Sequence, residues 1–254
     1  MRLTVEIGWI LAVALVAVRF AAALALTPIF GTANVPARFR VLLILALSAL
    51  VVSATGIEAA RLPASLPAFL GAAMSEALLG AAMAFGIFAA FAVFLLAGRI
   101  MDIQLGFGVA VLIDPTNRTQ SPLLGTFLNL MAVALFFAID GHHMLLRGLV
   151  FSLEQAPPGT FPSELDPAAI VAQFGAMFVY AAALSAPVLL TILLIDVVLS
   201  VIARTMPQVN IFIVSLPLKI FVGLLVLAIS LRHLGPLTGK IFESIFEYWH
   251  RLLS

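Results

Sequence analysis

Five charged side chains fall within or beside the long apolar runs of this chain: Arg19, Glu76, Asp140, Asp196 and Lys219. A charge at the centre of a membrane helix costs about 2.5–3.5 kcal/mol on insertion scales, so each needs a partner or a watery surface. Two chemistries fit. The carboxylates could relay a proton or an ion, or the charges could pair between helices and fasten them together. The carboxylates are scattered along the chain, which favours pairing. Asp196 and Lys219 are opposite in sign and stand on neighbouring runs joined by a short turn, as a structural pair would. His142 and His143 are adjacent, so on a helix they are expected to point to different sides. With no His-x-x-x-His spacing and no His/carboxylate cluster read beside them, the pattern speaks against a metal site. No phosphate loop, nucleophile elbow or acid pair at catalytic spacing occurs. There is no cysteine, which excludes disulfides, thiolate chemistry and cysteine-based zinc sites. The sequence predicts neither an enzyme nor a cofactor.

The elements that must position these groups are apolar. Of 254 residues, 63% are hydrophobic and only 10% charged, against roughly 25% charged in soluble domains. With a mean hydropathy of +1.21, this is the composition of a polytopic integral membrane protein, all-α in class. The net charge of +1 offers no basic face and argues against nucleic-acid binding. Arg2 ahead of an apolar run resembles a signal peptide. Glu6, Arg19 and the spans that follow make it a retained first helix instead.

Six apolar runs stand out, at about 7–30, 40–55, 68–97, 123–151, 170–203 and 209–231. All but the second reach the ~20 residues a crossing needs; the second is expected to be tilted, re-entrant or half-inserted. Arg38, Arg40, Arg99, Arg118 and Arg204 lie in the odd connectors, which places those connectors inside and the N-terminus outside. The tail, with Arg232, Lys240 and Arg251, then falls on the other side, against the rule. The third run carries small residues at four-residue spacing, Ala72-Glu76-Gly80-Ala84 and Ala82-Gly86-Ala90, which lets helix backbones approach closely. Phe85, Phe88, Phe91 and Phe94 wrap around the same helix. Segment 152–169 is a polar, proline-rich loop. Residues 240–253 form an amphipathic helix with Ile241, Ile245, Trp249 and Leu252 on one face, and Tyr248 and Trp249 suit a membrane interface or a partner groove.

One stretch is unlike the rest. From Gly98 to Gly125 the chain is rich in glycine, broken by Pro115 and Pro122, apolar from Phe107 to Ile113 and polar at its end. That suits irregular backbone surrounded by protein or lining a cavity, although a plain connector between helices has the same composition.

Four stretches, taken in order, resemble the FliR family of bacterial flagellar export proteins. They are Thr27-Pro28-Ile29-Phe30-Gly31 with Val35-Pro36-Ala37-Arg38-Phe39-Arg40; Gln104-Leu105-Gly106-Phe107-Gly108 through Asp114-Pro115 to Gln120-Ser121-Pro122; Asp140-Gly141-His142-His143; and Arg204-Thr205-Met206-Pro207-Gln208-Val209-Asn210-Ile211-Phe212 with Pro217-Leu218-Lys219. They cover nearly the whole chain up to about 232. The resemblance implies a core subunit of the export gate, assembled with FliP and FliQ, associated with FlhB, and passing unfolded export substrates across the inner membrane of the flagellar basal body. It implies a FliP-like part over 1–184, a FliQ-like helical hairpin over 185–231 opened by Pro187 and turned at Pro207, and a separate C-terminal helix over 232–254. Much of the assembly would then sit above the bilayer plane, with the remainder facing membrane lipid. It further implies that 105–122 is a pore plug built from Leu105, Gly106, Phe107, Gly108, Val109, Val111, Ile113, Asp114, Pro115, Gln120 and Pro122, and that Arg204, Pro207, Gln208 and Asn210 form a family-specific turn. The alternatives are the related T subunit of a virulence secretion system and, from another class, a proton-coupled transporter using Glu76, Asp140 and Asp196.

Overall fold

Proline and glycine punctuate a chain that is otherwise helix-forming throughout. The computed structural model describes residues 7–25, 27, 36–56, 65–107, 122–160, 165–206, 208 and 211–253. Every regular element among them is a helix: α1 (Ile7–Ala25), α2 (Ala37–Thr55), α3 (Leu66–Leu105), α4 (Leu123–Ala138), α5 (Gly141–Gln155), α6 (Pro167–Thr205), α7 (Ile211–Leu231) and α8 (Gly235–Leu253). Pro36 opens α2, where a missing N–H costs nothing, and Gly56 closes it with a left-handed φ of 63°. Beyond Pro67 in its first turn, no proline interrupts α3, which runs for 40 residues. At 1.5 Å per residue that is about 60 Å, twice the hydrocarbon thickness of a bilayer. Even at a tilt of about 40°, the upper end for membrane helices, the rod would span about 46 Å, so part of α3 must lie outside the membrane or pack on protein.

The chain divides into two units. The first comprises Met1–Ala90, Leu135–Phe174 and Glu243–Ser254. Here α1 packs on α2. Leu15, Val16 and Phe20 of α1, Leu79, Met83 and Ile87 of α3, and Leu145, Leu149 and Leu153 of α5 are all buried. Gly80 lets α3 meet α1 closely: a Cβ there would strike the Arg19 carbonyl and the Ala22 methyl. The small-residue spacing therefore does bring backbones together. The second unit comprises Phe91–Ala134 and Gly175–Phe242. Its interior holds Phe91, Phe94, Met101 and Leu105 of α3, Leu124 and Leu128 of α4, and Leu184, Val188 and Ile192 of α6. Phe91 and Phe94 sit against Phe242, with ring centroids 5.5 and 5.9 Å apart. Of the four spaced phenylalanines, Phe88 alone is exposed.

Several expectations about individual runs change. The second run is a complete 19-residue helix, long and apolar enough to span, whereas among the described residues of the first run the apolar helix is the shorter Gly8–Leu24. The fourth run is not one helix: α4 and α5 meet at 73°. Asp140 takes a left-handed φ of 57°, and a Cβ on Gly141 would run into the Phe136 ring. Among the described residues, four helices are long and apolar enough to cross a membrane, or five if the bent pair counts as one. Pro187 lies inside α6 rather than at a helix start. The C-terminal helix has the expected apolar face, but the groove it fills belongs to its own chain: Ile241, Ile245, Tyr248, Trp249 and Leu252 are buried. Tyr248 Oη and Trp249 Nε1 donate to the carbonyls of Ala82 (2.8 Å) and Met83 (2.9 Å). Burial pushes the Tyr248 phenol up to about 12.

Candidate functional site

The glycine-rich stretch is approached from α3, which ends with both of its last turns satisfied. Gly106 takes a φ of 86°. Its N–H reaches the Ile103 carbonyl at 3.2 Å, while the Phe107 N–H reaches back to the Asp102 carbonyl at 3.0 Å. This is a Schellman stop, and the left-handed residue it needs explains the glycine. Leu105, fully buried, fills the notch left by Gly223 of α7, where a Cβ would collide with it.

The far end of the stretch is tied to the same place. Helix α4 begins after Pro122, whose ring cannot cap the free N–H groups of the first turn. Asp102 of α3 does so instead. Its Oδ1 accepts from the Leu124 N–H at 3.0 Å and its Oδ2 from the Gly125 N–H at 3.3 Å, with the side chain buried. A carboxylate at a helix N-terminus also meets the positive end of the helix dipole. One turn earlier on α3, Gly98 lies against the Gly125 backbone so closely that a Cβ on Gly98 would overlap it. The two ends of the stretch are thus pinned by a carboxylate staple and a glycine–glycine contact. Of the expected plug residues, Leu105, Gly106, Phe107 and Pro122 belong to this base. Gly108, Val109, Val111, Ile113, Asp114, Pro115 and Gln120 lie outside the described residues.

Asp196 of α6 and Lys219 of α7 are joined, Nζ to Oδ1 at 2.5 Å, with side chains 40% and 21% exposed. The pair is not buried within the chain; it sits among exposed apolar neighbours, Leu193, Val197 and Leu218. Arg204 and Gln208 are exposed, while Pro207 and Asn210 lie outside the described residues.

Two constellations escaped the sequence reading. The first is a fully buried Arg19–Glu76 pair. Arg19 Nε donates to Glu76 Oε2 at 2.6 Å and its Nη2 to Oε1 at 3.1 Å. The remaining donors reach the carbonyls of Ser152 and Ala156, both at 2.8 Å, and the Gly159 N–H adds a bond to Glu76 Oε1 at 2.9 Å. Opposite charges deep in two apolar runs, beside a small-residue stripe, are the signal that could have linked them. The second is a correction. His142 and His143 do not point apart: their rings lie 4.1 Å apart, and His143 Nδ1 stands 3.5 Å from Asp140 Oδ1. The left-handed Asp140 folds its carboxylate back over the first turn of α5, which ideal helical angles did not foresee.

Comparison with known proteins agrees with the motif order. The sequence profile of Bacterial export proteins, family 1, matches residues 10–245. The flagellar biosynthetic protein FliR of Bacillus subtilis is 34% identical over 248 residues, covering 94% of this chain and 93% of that protein. FliR of Escherichia coli is 27% identical, covering 93% and 90%, and FliR of Aquifex aeolicus 29% identical, covering 87% of each. These relatives are named for flagellar biosynthesis and not for an enzymatic reaction. With the match running through nearly every helix and through both ends of the pinned stretch, this chain belongs to the FliR family of bacterial export proteins.

Proposed function

We propose that this chain is a core subunit of the flagellar type III export gate, assembled in the inner membrane at the flagellar basal body with FliP and FliQ, and associated with FlhB. Unfolded flagellar proteins would pass through the channel they form. Residues 105–122 would act as its plug. Flagellar rather than virulence secretion is favoured because the relatives carry flagellar names across nearly their whole lengths.

One observation carries the plug reading: a stretch of apolar and glycine-rich sequence is stapled at its base by Asp102. A stopper must be displaced without unravelling the helices that bear it. Two satisfied helix ends give it a fixed mount, so movement is confined to the residues beyond Phe107 and before Pro122. The apolar part, Phe107 to Ile113, supplies bulk that excludes water. A preference of a few kcal/mol already holds an open state to a minor population, so a tight plug needs no strong lock. Asp196 and Lys219 act as a brace between α6 and α7 in this reading. The FliP-like part (1–184), the FliQ-like hairpin (185–231) and the C-terminal helix (232–254) remain the proposed functional division.

The test replaces 109–120 by a Gly-Ser pair, leaving Gly106, Phe107 and Pro122 in place. The gate complex should still assemble and the inner membrane should become leaky to ions or small solutes. Intact assembly with a tight membrane and normal export would reduce the stretch to a connector.

A further inference from the structure

At the elbow between α4 and α5, three side chains of metal-ligating type converge. Asp140 stands at the N-cap position of α5, yet its carboxylate makes no capping hydrogen bond. Among the described residues it is the one non-glycine with a positive φ. Aspartate tolerates that conformation better than most residues, but a left-handed non-glycine still points to a constraint. The constraint is visible in where the carboxylate goes: toward His143, 3.5 Å away. His142 lies beside His143 with ring centroids 4.1 Å apart, and against Phe137 at 5.4 Å. One ligand atom from each of Asp140, His142 and His143 can be chosen so that all lie within 4.8 Å of one another. A second, independent observation concerns His142. Its Nδ1 is shielded from solvent and, among the described residues, has no hydrogen-bond partner. A shielded ring nitrogen without a partner is a group that a ligand would satisfy.

We propose that Asp140, His142 and His143 form a site for a divalent transition-metal ion of the zinc type. Two imidazole nitrogens and one carboxylate oxygen are a donor set for borderline metals and not for calcium or magnesium, which take oxygen. Bonds of about 2.0–2.1 Å to a tetrahedral ion set its ligand atoms about 3.4 Å apart. The Asp140–His143 separation already matches that edge. Asp140 and His143 are exposed, so their side chains can close the remaining distance by small rotations. Three protein ligands leave a fourth position for water or for a donor from outside the chain. The ion would tie the residue before the bend to the first turn after it and so hold the elbow at its angle. This site is separate from the pinned stretch, and it stands or falls without the gate reading.

The full-length chain, solubilised in detergent together with whatever subunits co-purify with it and carrying no histidine tag, is titrated with cobalt(II) alone and then with zinc. The wild type should bind one equivalent of cobalt with a visible absorption band that zinc abolishes, and His143→Gln should weaken binding at least tenfold. The double change His142→Ala/His143→Ala should remove it while circular dichroism shows unchanged helix content. Absence of saturable cobalt binding by the wild type overturns the proposal. So does wild-type affinity in His143→Gln, whose exposed side chain supports no core, should the double variant fail to fold.

Discussion

Arg19 has five N–H donors, and each finds an acceptor: two on Glu76, two on Ser152 and one on the Ala156 carbonyl. A buried ion pair with every donor satisfied costs little to keep and much to break, because removing one partner strands a charge. Arg19→Met or Glu76→Gln should therefore destabilise the first unit by about 3–5 kcal/mol, and the double change to apolar residues by clearly less. Thermal unfolding in detergent measures both. The Asp196–Lys219 pair is only part-buried within the chain and lies on an exposed apolar face, so less of the chain's own packing rests on it. Asp196→Asn should scarcely change that same melting curve, while weakening assembly with partner subunits if the exposed apolar face around the pair is covered by them. Assembly left intact with export abolished would instead make Asp196 a relay. Of these two pairs only the second was legible in the sequence, since its members flank a single turn. Glu76 lies 57 residues from Arg19 and shares it with backbone carbonyls, which no residue type advertises.

Helix ends show the same division between what sequence announces and what packing supplies. Gly56 and Gly106 mark stops that glycine makes readable, whereas the start of α4 carries no capping residue of its own. Its cap comes from Asp102, 22 residues earlier and on another helix. The clue was negative: a helix opening behind Pro122 with nothing to satisfy its first N–H groups. Asp102→Ala should cost about 0.5–2 kcal/mol, the usual worth of an N-cap. Adding Pro122→Ser, which gives α4 a local cap, should recover part of that loss in the same melting experiment. No recovery would mean that Asp102 acts by filling space. The C-terminal helix was readable as amphipathic from its spacing. Its destination was not, because the carbonyls of Ala82 and Met83 that receive Tyr248 and Trp249 carry no sequence signature.

At the scale of the molecule, composition pointed to an all-helical membrane protein, and the order of four motifs pointed to its family. What composition could not give is the split of apolar surface between lipid and protein. The spanning window of α3 is largely enclosed, while α6 and α7 leave Leu190, Leu194, Val197, Phe221 and Leu225 outside. A chain that exposes so much apolar area, together with an ion pair lying in it, should be poorly behaved when produced alone. Size-exclusion chromatography in mild detergent should give aggregates or a broad peak, and co-production of FliP and FliQ should sharpen it. A stable, monodisperse monomer would count against the gate reading.

The carboxylate staple at the base of the pinned stretch also sets a leash. Fourteen residues, 108–121, leave from and return to nearly the same point. A chain that must go out and come back reaches at most half its contour, about 25 Å at 3.3–3.6 Å per residue. Whatever this stretch touches, closed or open, lies inside that radius of Asp102. A zero-length cross-link formed at Ile113 can therefore trap only neighbours close to that radius, and lengthening the leash by a few residues should enlarge the set it captures while the anchor stays where it is.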